Sequence, residues 1–308
     1  MPGAVGQPAT EACQTDAVQL DRLSVAQSLD EAGCIAAREE ADELLRAAAG
    51  DPDVLDDLVS RRTNGEPIAW LTGAVTFCGV WLSVAPGVYV PRRQTEPLAL
   101  RAVALLPPKG VAADLCTGVG AIAAVLAAAV PTARILATEL DGNAVRCARR
   151  NGVEVFEGFL DDPLPREFEH RVDVLTAVVP YVPTDSLRLL PRDVQGFEPR
   201  LALDGGVDGT DLLAEVVRRS AVWLSPGGWL LLELGGDQAE PIGRLLHESG
   251  FEGLDVMTDE DGDPRAICAP LGWASPGSRT ATWPSEPVRP RAAPADAGPV
   301  SSCGDDRR

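Results

Sequence analysis

The chain has 308 residues, of which 46 are acidic and 27 basic, so its formal net charge is −19 at pH 7. Hydrophobic residues make up 45% of the sequence, which is enough for a full core and excludes a wholly disordered chain. The acidic excess argues against a general nucleic-acid-binding protein, because such proteins need surplus arginine and lysine to neutralise phosphates.

The cysteines and the hydropathy pattern bear on where the protein acts. The seven cysteines are scattered and form no C-x-x-C pair, which indicates reduced thiols. The longest uncharged apolar run, residues 121–130, is half the length of a membrane span, and the N-terminus shows no export signal. With only two histidines, a zinc site is not expected. The sequence therefore predicts a cytoplasmic protein without membrane contact.

The first part of the chain reads as helices followed by a hairpin. Residues 1–15 are small and polar without periodicity and predict a disordered leader. Apolar spacing over residues 16–73 predicts a helical N-terminal domain, in which Asp51 is an N-cap and Pro52 the first helical residue. Residues 74–90 carry alternating apolar side chains, which predicts a β-hairpin linker.

Over residues 91–271 the sequence predicts a repeated order of strand, turn and helix. The predicted strands are 111–115, 134–138, 153–156, 172–178 and 229–234, and the predicted helices are 121–129, 142–150 and 211–224. Such alternation is typical of an α/β fold with a doubly wound, Rossmann-like sheet covered by helices on both faces. Residues 272–308 are proline-rich with few aliphatic side chains and predict a disordered tail.

A glycine turn joins the first of these strands to its helix. Gly118 and Gly120 allow the backbone to approach a ligand, and the helix behind them offers free N–H groups. Glu139 ends the next strand, where an acid can accept hydrogen bonds from both hydroxyls of a ribose. The segment therefore predicts a site for an adenosine-containing cofactor.

Two such cofactors fit the turn. Gly118, Gly120 and Ala123 satisfy the G-x-G-x-x-G/A pattern of dinucleotide sites. Asp114, however, places a carboxylate close to where a pyrophosphate would lie, and like charges there are unfavourable. S-adenosylmethionine carries an ammonium and a sulfonium, so Asp114 favours S-adenosylmethionine over a dinucleotide.

Further motifs follow one another in a fixed order around this turn. They are Val90-Pro-Arg-Arg-Gln-Thr-Glu96, Phe197-Glu-Pro, Ala202-Leu-Asp-Gly-Gly206, Asp208-Gly209 and Leu224-Ser-Pro-Gly-Gly228. Together they make residues 55–271 resemble the class I methyltransferases, and among them the protein-(glutamine-N5) methyltransferases that modify peptide-chain release factors. The resemblance implies a methyltransferase that uses S-adenosylmethionine, with a release factor as its protein partner and no direct contact to nucleic acid.

The resemblance also implies the site residues. Those implied to bind the cofactor are Asp114, Cys116, Thr117, Gly118, Val119, Gly120, Glu139, Phe159 and Leu160. Cys116 stands where the family usually has glycine, and Phe159 stands where an acid near the adenine is expected. The family's catalytic Asn-Pro-Pro-Tyr is replaced by Val178, Val179, Pro180 and Tyr181.

In the family, the asparagine side chain and a neighbouring backbone carbonyl accept the N–H bonds of the glutamine amide. Here the Val179 carbonyl can serve and Tyr181 can form a wall of the slot, whereas Val178 accepts nothing. The sequence thus leaves alternatives open: a weak or inactive paralogue that binds cofactor or partner, a nucleic-acid base amino-methyltransferase, a small-molecule methyltransferase, or a dinucleotide oxidoreductase.

Overall fold

The computed structural model of the protein describes residues 22–272. The predicted leader at residues 1–15 lies outside the described residues, as does the predicted tail apart from Gly272. In the part that is described, no helix is both long and apolar enough to cross a membrane.

The N-terminal part is helical. Its elements are α1 (residues 22–31), α2 (Ala37–Ala48), α3 (Pro52–Thr63) and α4 (Ile68–Thr72). Leu29, Leu44 and Leu58 come from three of these helices and form a separate hydrophobic core. The Asp51 side chain accepts hydrogen bonds from the first-turn amides of Asp53 and Val54, at 3.0 and 3.2 Å. The helix start predicted at this position is confirmed.

The hairpin is shorter than the sequence predicts. It consists of β1 (Ala74–Phe77) and β2 (Val80–Ser83), which pair antiparallel, and no strand continues over residues 84–90. Val84 and Val88 are buried, but against Trp70 and the glycine turn rather than beside a partner strand. The Trp70 indole N–H donates to the Val88 carbonyl. The apolar spacing in this segment therefore reflects burial of the side chains and not pairing in a sheet. The prediction of a hairpin over the whole of residues 74–90 was wrong.

A seven-stranded sheet forms the rest of the described chain. Its strands are β3 (Val111–Leu115), β4 (Arg134–Glu139), β5 (Val155–Glu157), β6 (Val172–Ala177), β7 (Leu224–Glu233), β8 (Asp255–Thr258) and β9 (Pro264–Pro270). The order is β5-β4-β3-β6-β7-β9-β8, with the first five strands parallel and β9 antiparallel to both β7 and β8. The five parallel strands match the predicted ones within a few residues, except that β7 begins five residues earlier. The antiparallel pair was not predicted.

Helices cover both faces of the sheet. They are α5 (Glu96–Leu105), α6 (Ala121–Ala129), α7 (Gly142–Arg150), α8 (Arg192–Gln195), α9 (Asp211–Trp223) and α10 (Ala239–Glu248). Neighbouring strand residues belong to different cores, Ala112 to the one under α5, α6 and α7 and Ala113 to the one under α9 and α10. This alternation is the two-residue period of a strand buried on both sides. The predicted doubly wound α/β fold is confirmed.

The strand order fixes where a site can form. The chain runs outward from β3 to β4 and β5, and then crosses back to place β6 on the other side of β3. The connections after β3 and β6 therefore leave in opposite directions, and a crevice opens between their carboxyl ends.

The N-cap of α3 offers a test of the local analysis. Replacing Asp51 by alanine removes the acceptor for two amides, so we expect the free energy of unfolding to fall by about 1 kcal/mol. Urea denaturation measures the change, with Asp56→Ala on the exposed face of the same helix as the matched control. Equal losses in both variants would contradict the capping role.

Candidate active site

A cavity of about 500 Å³ lies at the carboxyl ends of β3, β4 and β6. Ligand sites in proteins have volumes of about 300–1,000 Å³. Of the residues that the sequence singles out, those lining this cavity are Cys116, Gly118, Glu139, Phe159, Leu160, Val178, Val179, Pro180 and Tyr181. The fold thus brings the glycine turn, the strand-end acid and the tetrapeptide to one space.

The glycine turn is tied to the strand-end acid. The Gly118 amide donates to Oε2 of Glu139 at 2.8 Å. Gly120 has a φ of +85° and begins α6, and a Cβ at this position would lie 2.7 Å from Cγ2 of Val153. A larger residue at position 120 would therefore push the turn away from Val153 and the segment that follows α7.

Cys116 occupies a position that favours glycine. Its φ is +55°, in the left-handed region, where a side chain costs about 1–2 kcal/mol. This conformation gives a physical reason why the family that the motifs resemble is expected to have glycine at this position. Burial raises the pKa of the Cys116 thiol well above its usual range, with Glu139 and Asp114 adding to the effect. The raised pKa favours the neutral thiol, which is a weaker nucleophile than a thiolate.

Glu139 presents its carboxylate at the rim of the cavity. Oε1 accepts from the amides of Leu140 and Asp141, each at 2.8 Å, while Oε2 accepts from Gly118. Burial raises the pKa of Glu139, and these backbone hydrogen bonds oppose the shift. The two oxygens of a carboxylate offer about four acceptor positions, so the group is held in place and can still accept from a ligand.

Asp114 lies behind the turn rather than in the larger cavity. Its carboxylate is 2% exposed and accepts from the hydroxyls of Thr117 at 2.5 Å and Thr176 at 2.7 Å. Burial raises its pKa to about 6, and the two threonine hydrogen bonds counteract part of the effect. Asp114, Thr117 and Val119 line a separate cavity of about 40 Å³, and Gly120 lines neither. Asp114 thus organises the turn from below.

The wall opposite the turn is aromatic. Phe159 is 38% exposed and lines the larger cavity, and the Arg219 guanidinium lies 5.6 Å from its ring centroid. The next acid, Asp161, does not line the cavity, because its carboxylate is engaged by Arg219 and by the Trp223 indole N–H. A ligand beside Phe159 therefore meets an aromatic ring rather than the carboxylate of Asp161.

The tetrapeptide follows directly after β6. Val178 turns an apolar side chain towards both cavities. The Val179 side chain is buried, but within residues 22–272 no hydrogen bond reaches its carbonyl oxygen. Tyr181 forms the next part of the wall. The slot thus has no side-chain acceptor at position 178, and the Val179 carbonyl is free to accept a hydrogen bond from a ligand.

Close packing behind Tyr181 explains the glycine motif at residues 202–209. The Tyr181 carbonyl accepts from Nε2 of Gln238 at 2.8 Å. A Cβ at Gly209 would lie 2.0 Å from that same carbonyl oxygen, and φ at this glycine is +77°. Backbone hydrogen bonds from Val182 to Leu203, and from Gly205 back to Val182, join the motif to the slot.

Arg92, which lines the smaller cavity, forms an ion pair with the buried Glu198. Arg92 donates to Glu198 at 2.5 Å, and its guanidinium lies 5.0 Å from the ring centroid of Tyr89, which lines both cavities. Burial raises the pKa of Glu198 to about 7, and the Arg92 charge opposes the shift. Arg92 and Glu198 both lie in motifs that carry the resemblance, but neither was predicted as a site residue.

Two more residues beside the slot were missed. Gln94 lies in the Val90–Glu96 motif and Glu233 ends β7, and both form hydrogen bonds with the Tyr181 hydroxyl. The signal for Glu233 is an acid at the carboxyl end of a buried strand, which is the same signal that identified Glu139.

Known proteins resemble this chain over most of its length. A release factor glutamine methyltransferase of Geobacter sulfurreducens is 36% identical over 221 residues, covering 70% of this chain and 77% of the relative. A 4-amino-L-phenylalanine/4-methylamino-L-phenylalanine methyltransferase of Streptomyces pristinaespiralis is 37% identical over 203 residues, covering 62% and 69%. A solved release-factor-specific protein-(glutamine-N5) methyltransferase of Alicyclobacillus acidocaldarius shares 22% identity and a TM-score of 0.39, covering 62% and 99%. No family model matches the chain.

The similarity to the Geobacter protein extends over more than two thirds of that relative's length, and further proteins of the same name match at 32–36% identity. The resemblance inferred from the motifs is therefore confirmed. This chain belongs to the release factor glutamine methyltransferase family.

Proposed function

We propose that the protein transfers a methyl group from S-adenosylmethionine to the side-chain amide nitrogen of a glutamine in a peptide-chain release factor. The observation that carries this proposal is the single cavity that joins the glycine turn and Glu139 to the slot at Val178–Tyr181. The relatives named release factor glutamine methyltransferase support the same substrate.

The residues at the turn end of the cavity fit the cofactor. The Glu139 carboxylate keeps about one acceptor position for a ribose hydroxyl, and Phe159 offers an aromatic ring on which an adenine can stack. S-adenosylmethionine supplies a methyl group on a sulfonium, whose leaving thioether needs no proton. The protein therefore has to bind, align and exclude water rather than donate a proton.

At the other end, the slot has to orient a weak nucleophile, because the lone pair of an amide nitrogen is delocalised into its carbonyl. The Val179 carbonyl accepts one amide N–H, and the Tyr181 ring closes one side of the slot. The second N–H meets Val178 and finds no acceptor. One unpaired buried N–H costs about 1–3 kcal/mol, or about 5- to 150-fold in rate if the loss is felt only in the transition state. The proposed enzyme is therefore slower than one with asparagine at this position.

Val178 also favours a second candidate acceptor, an aromatic amine. The Streptomyces relative is named for methylation of 4-amino-L-phenylalanine and of its already methylated product. A nitrogen that carries a methyl group has fewer N–H bonds to satisfy, and its lone pair is less delocalised than that of an amide. An apolar residue at position 178 therefore leaves fewer N–H bonds unpaired in a methylated aromatic amine than in a glutamine amide.

Labelled cofactor separates the two candidates. The protein is incubated with labelled S-adenosylmethionine and either a release factor or 4-amino-L-phenylalanine, and the release factor is then mapped by peptide mass spectrometry. We expect label on one glutamine of the release factor. Label on the aromatic amine alone would reject the proposed substrate, and cofactor binding without transfer to either would reject the proposed activity.

Glu139 provides a test of cofactor binding. The Glu139→Ala variant loses a charge-assisted hydrogen bond to the ribose, so we expect affinity to fall by about 1.5–3 kcal/mol, or about 10- to 150-fold in Kd. Calorimetric titration with S-adenosylmethionine measures it. Glu157→Ala is the matched control, since Glu157 ends the neighbouring strand β5 and does not line the cavity. An unchanged Kd in the Glu139 variant would place the ribose elsewhere.

Val178 provides a test of amide orientation. The Val178→Asn substitution adds a side-chain acceptor of similar size, so single-turnover methylation of the release factor should speed up, at most by about 5- to 150-fold. Val178→Ala changes the volume without adding an acceptor and should not speed the reaction. A rate that stays the same or falls in the asparagine variant, at equal cofactor affinity, would show that position 178 does not orient an amide.

A further inference from the structure

Three side chains from distant parts of the chain meet beside the slot. The Tyr181 hydroxyl donates to Oε1 of Glu233 at 2.8 Å. The Gln94 amide donates to the Tyr181 hydroxyl oxygen at 3.0 Å and to the same Glu233 oxygen at 3.3 Å. Gln94 precedes α5 and Glu233 ends β7, so the contact joins two elements to the tetrapeptide.

These contacts fix the ring of Tyr181 at both ends. Its backbone carbonyl is held by Gln238, and its hydroxyl is held by Gln94 and Glu233. One flank of the ring lies over Gly235, where an added Cβ would stand 3.6 Å from Cε2 of the ring. A tyrosine held in this way has little freedom to turn away from the cavity that it lines.

Glu233 is an unfavourable residue for folding stability at its position. Its carboxylate is 2% exposed, and within residues 22–272 its second oxygen, Oε2, has no hydrogen-bond partner. An incompletely paired buried carboxylate costs stability, and an apolar side chain of similar volume is often neutral or stabilising in such places. Stability alone therefore does not explain why the strand ends in glutamate.

We propose that Glu233, together with Gln94, is a positioning residue that holds the Tyr181 ring against the methyl acceptor. This inference rests on the proposed function, because Tyr181 walls the slot in which the acceptor nitrogen binds. With valine at position 178, the alignment of that nitrogen depends on the Val179 carbonyl and on the Tyr181 ring. A ring that can swing leaves the nitrogen poorly aligned with the sulfonium methyl group, and alignment is the main contribution of the protein.

A double-substitution cycle tests this role. Glu233→Leu removes the acceptor for the Tyr181 hydroxyl, and we expect the single-turnover rate constant to fall about 10-fold, as expected for the loss of one hydrogen bond. Glu233→Gln keeps an acceptor oxygen and should retain most of the rate. Tyr181→Phe should lose as much as Glu233→Leu, and combining the two should cause no further loss, because Glu233 acts through the Tyr181 hydroxyl.

The melting temperature and the cofactor affinity of the Glu233→Leu variant show whether Glu233 positions Tyr181 or only stabilises the fold. We expect Glu233→Leu to leave the S-adenosylmethionine affinity unchanged and the melting temperature unchanged or higher while the rate falls. Ser220→Ala is the control for a lost buried hydrogen bond, since Ser220 lies in α9 away from the cavity. It should lower the melting temperature without changing the rate. A Glu233→Leu variant with a lower melting temperature and weaker cofactor binding, or with additive loss in the cycle, would overturn the proposal.

NMR of the protein without substrate tests the positioning role of Glu233 independently of the proposed function. The chain has two tyrosines, so ¹³C labelling of tyrosine gives two sets of ring signals, which Tyr181→Phe assigns. We expect Glu233→Leu to shift or broaden the Tyr181 signals more than those of Tyr89. If the wild type methylates no release factor, the proposed function fails, and the Tyr181 signals still decide whether Glu233 holds the ring. Unchanged Tyr181 signals would reject the positioning role.

Discussion

The site depends on one topological constraint, the reversal of strand order beside β3. β6 lies next to β3 although β4 and β5 precede it in the chain, so the connections leave their carboxyl ends in opposite directions. The glycine turn, Glu139, Val178 and Glu233 all lie at or just after the end of a strand on this edge. The parallel sheet therefore assembles the cofactor end and the acceptor end of one cavity from short segments far apart in sequence.

The same edge carries local features that cost stability. Cys116 has a left-handed backbone, and Asp114 and Glu233 each bury a carboxylate to 2% exposure. The two carboxylates have specific partners: Asp114 accepts from two threonine hydroxyls, and one oxygen of Glu233 accepts from the Tyr181 hydroxyl. Features of this kind concentrate at functional sites, where the local geometry serves binding or alignment rather than folding.

Local patterns made most of the fold and part of the site predictable. The parallel strands, the turn at Gly118 and the strand-end Glu139 follow from period, glycine spacing and residue type within short windows. Features set by tertiary contacts were not predictable in this way. The apolar spacing after Ser83 suggested a strand, but those side chains pack on Trp70 and the glycine turn. Asp114 stays a predicted ligand contact, but its hydrogen bond with Thr176 and the contact of Glu233 with Tyr181 are made only by the fold.

The central claim is that one cavity holds the cofactor at Glu139 and the acceptor at Val178–Tyr181. A crystal structure of the protein with S-adenosylhomocysteine, the demethylated cofactor, tests it most directly. The account predicts a ribose hydroxyl on the Glu139 carboxylate, the adenine beside Phe159, and the sulfur facing the slot at Val179 and Tyr181. A ligand bound outside this cavity, or one whose sulfur points away from the slot, would contradict it.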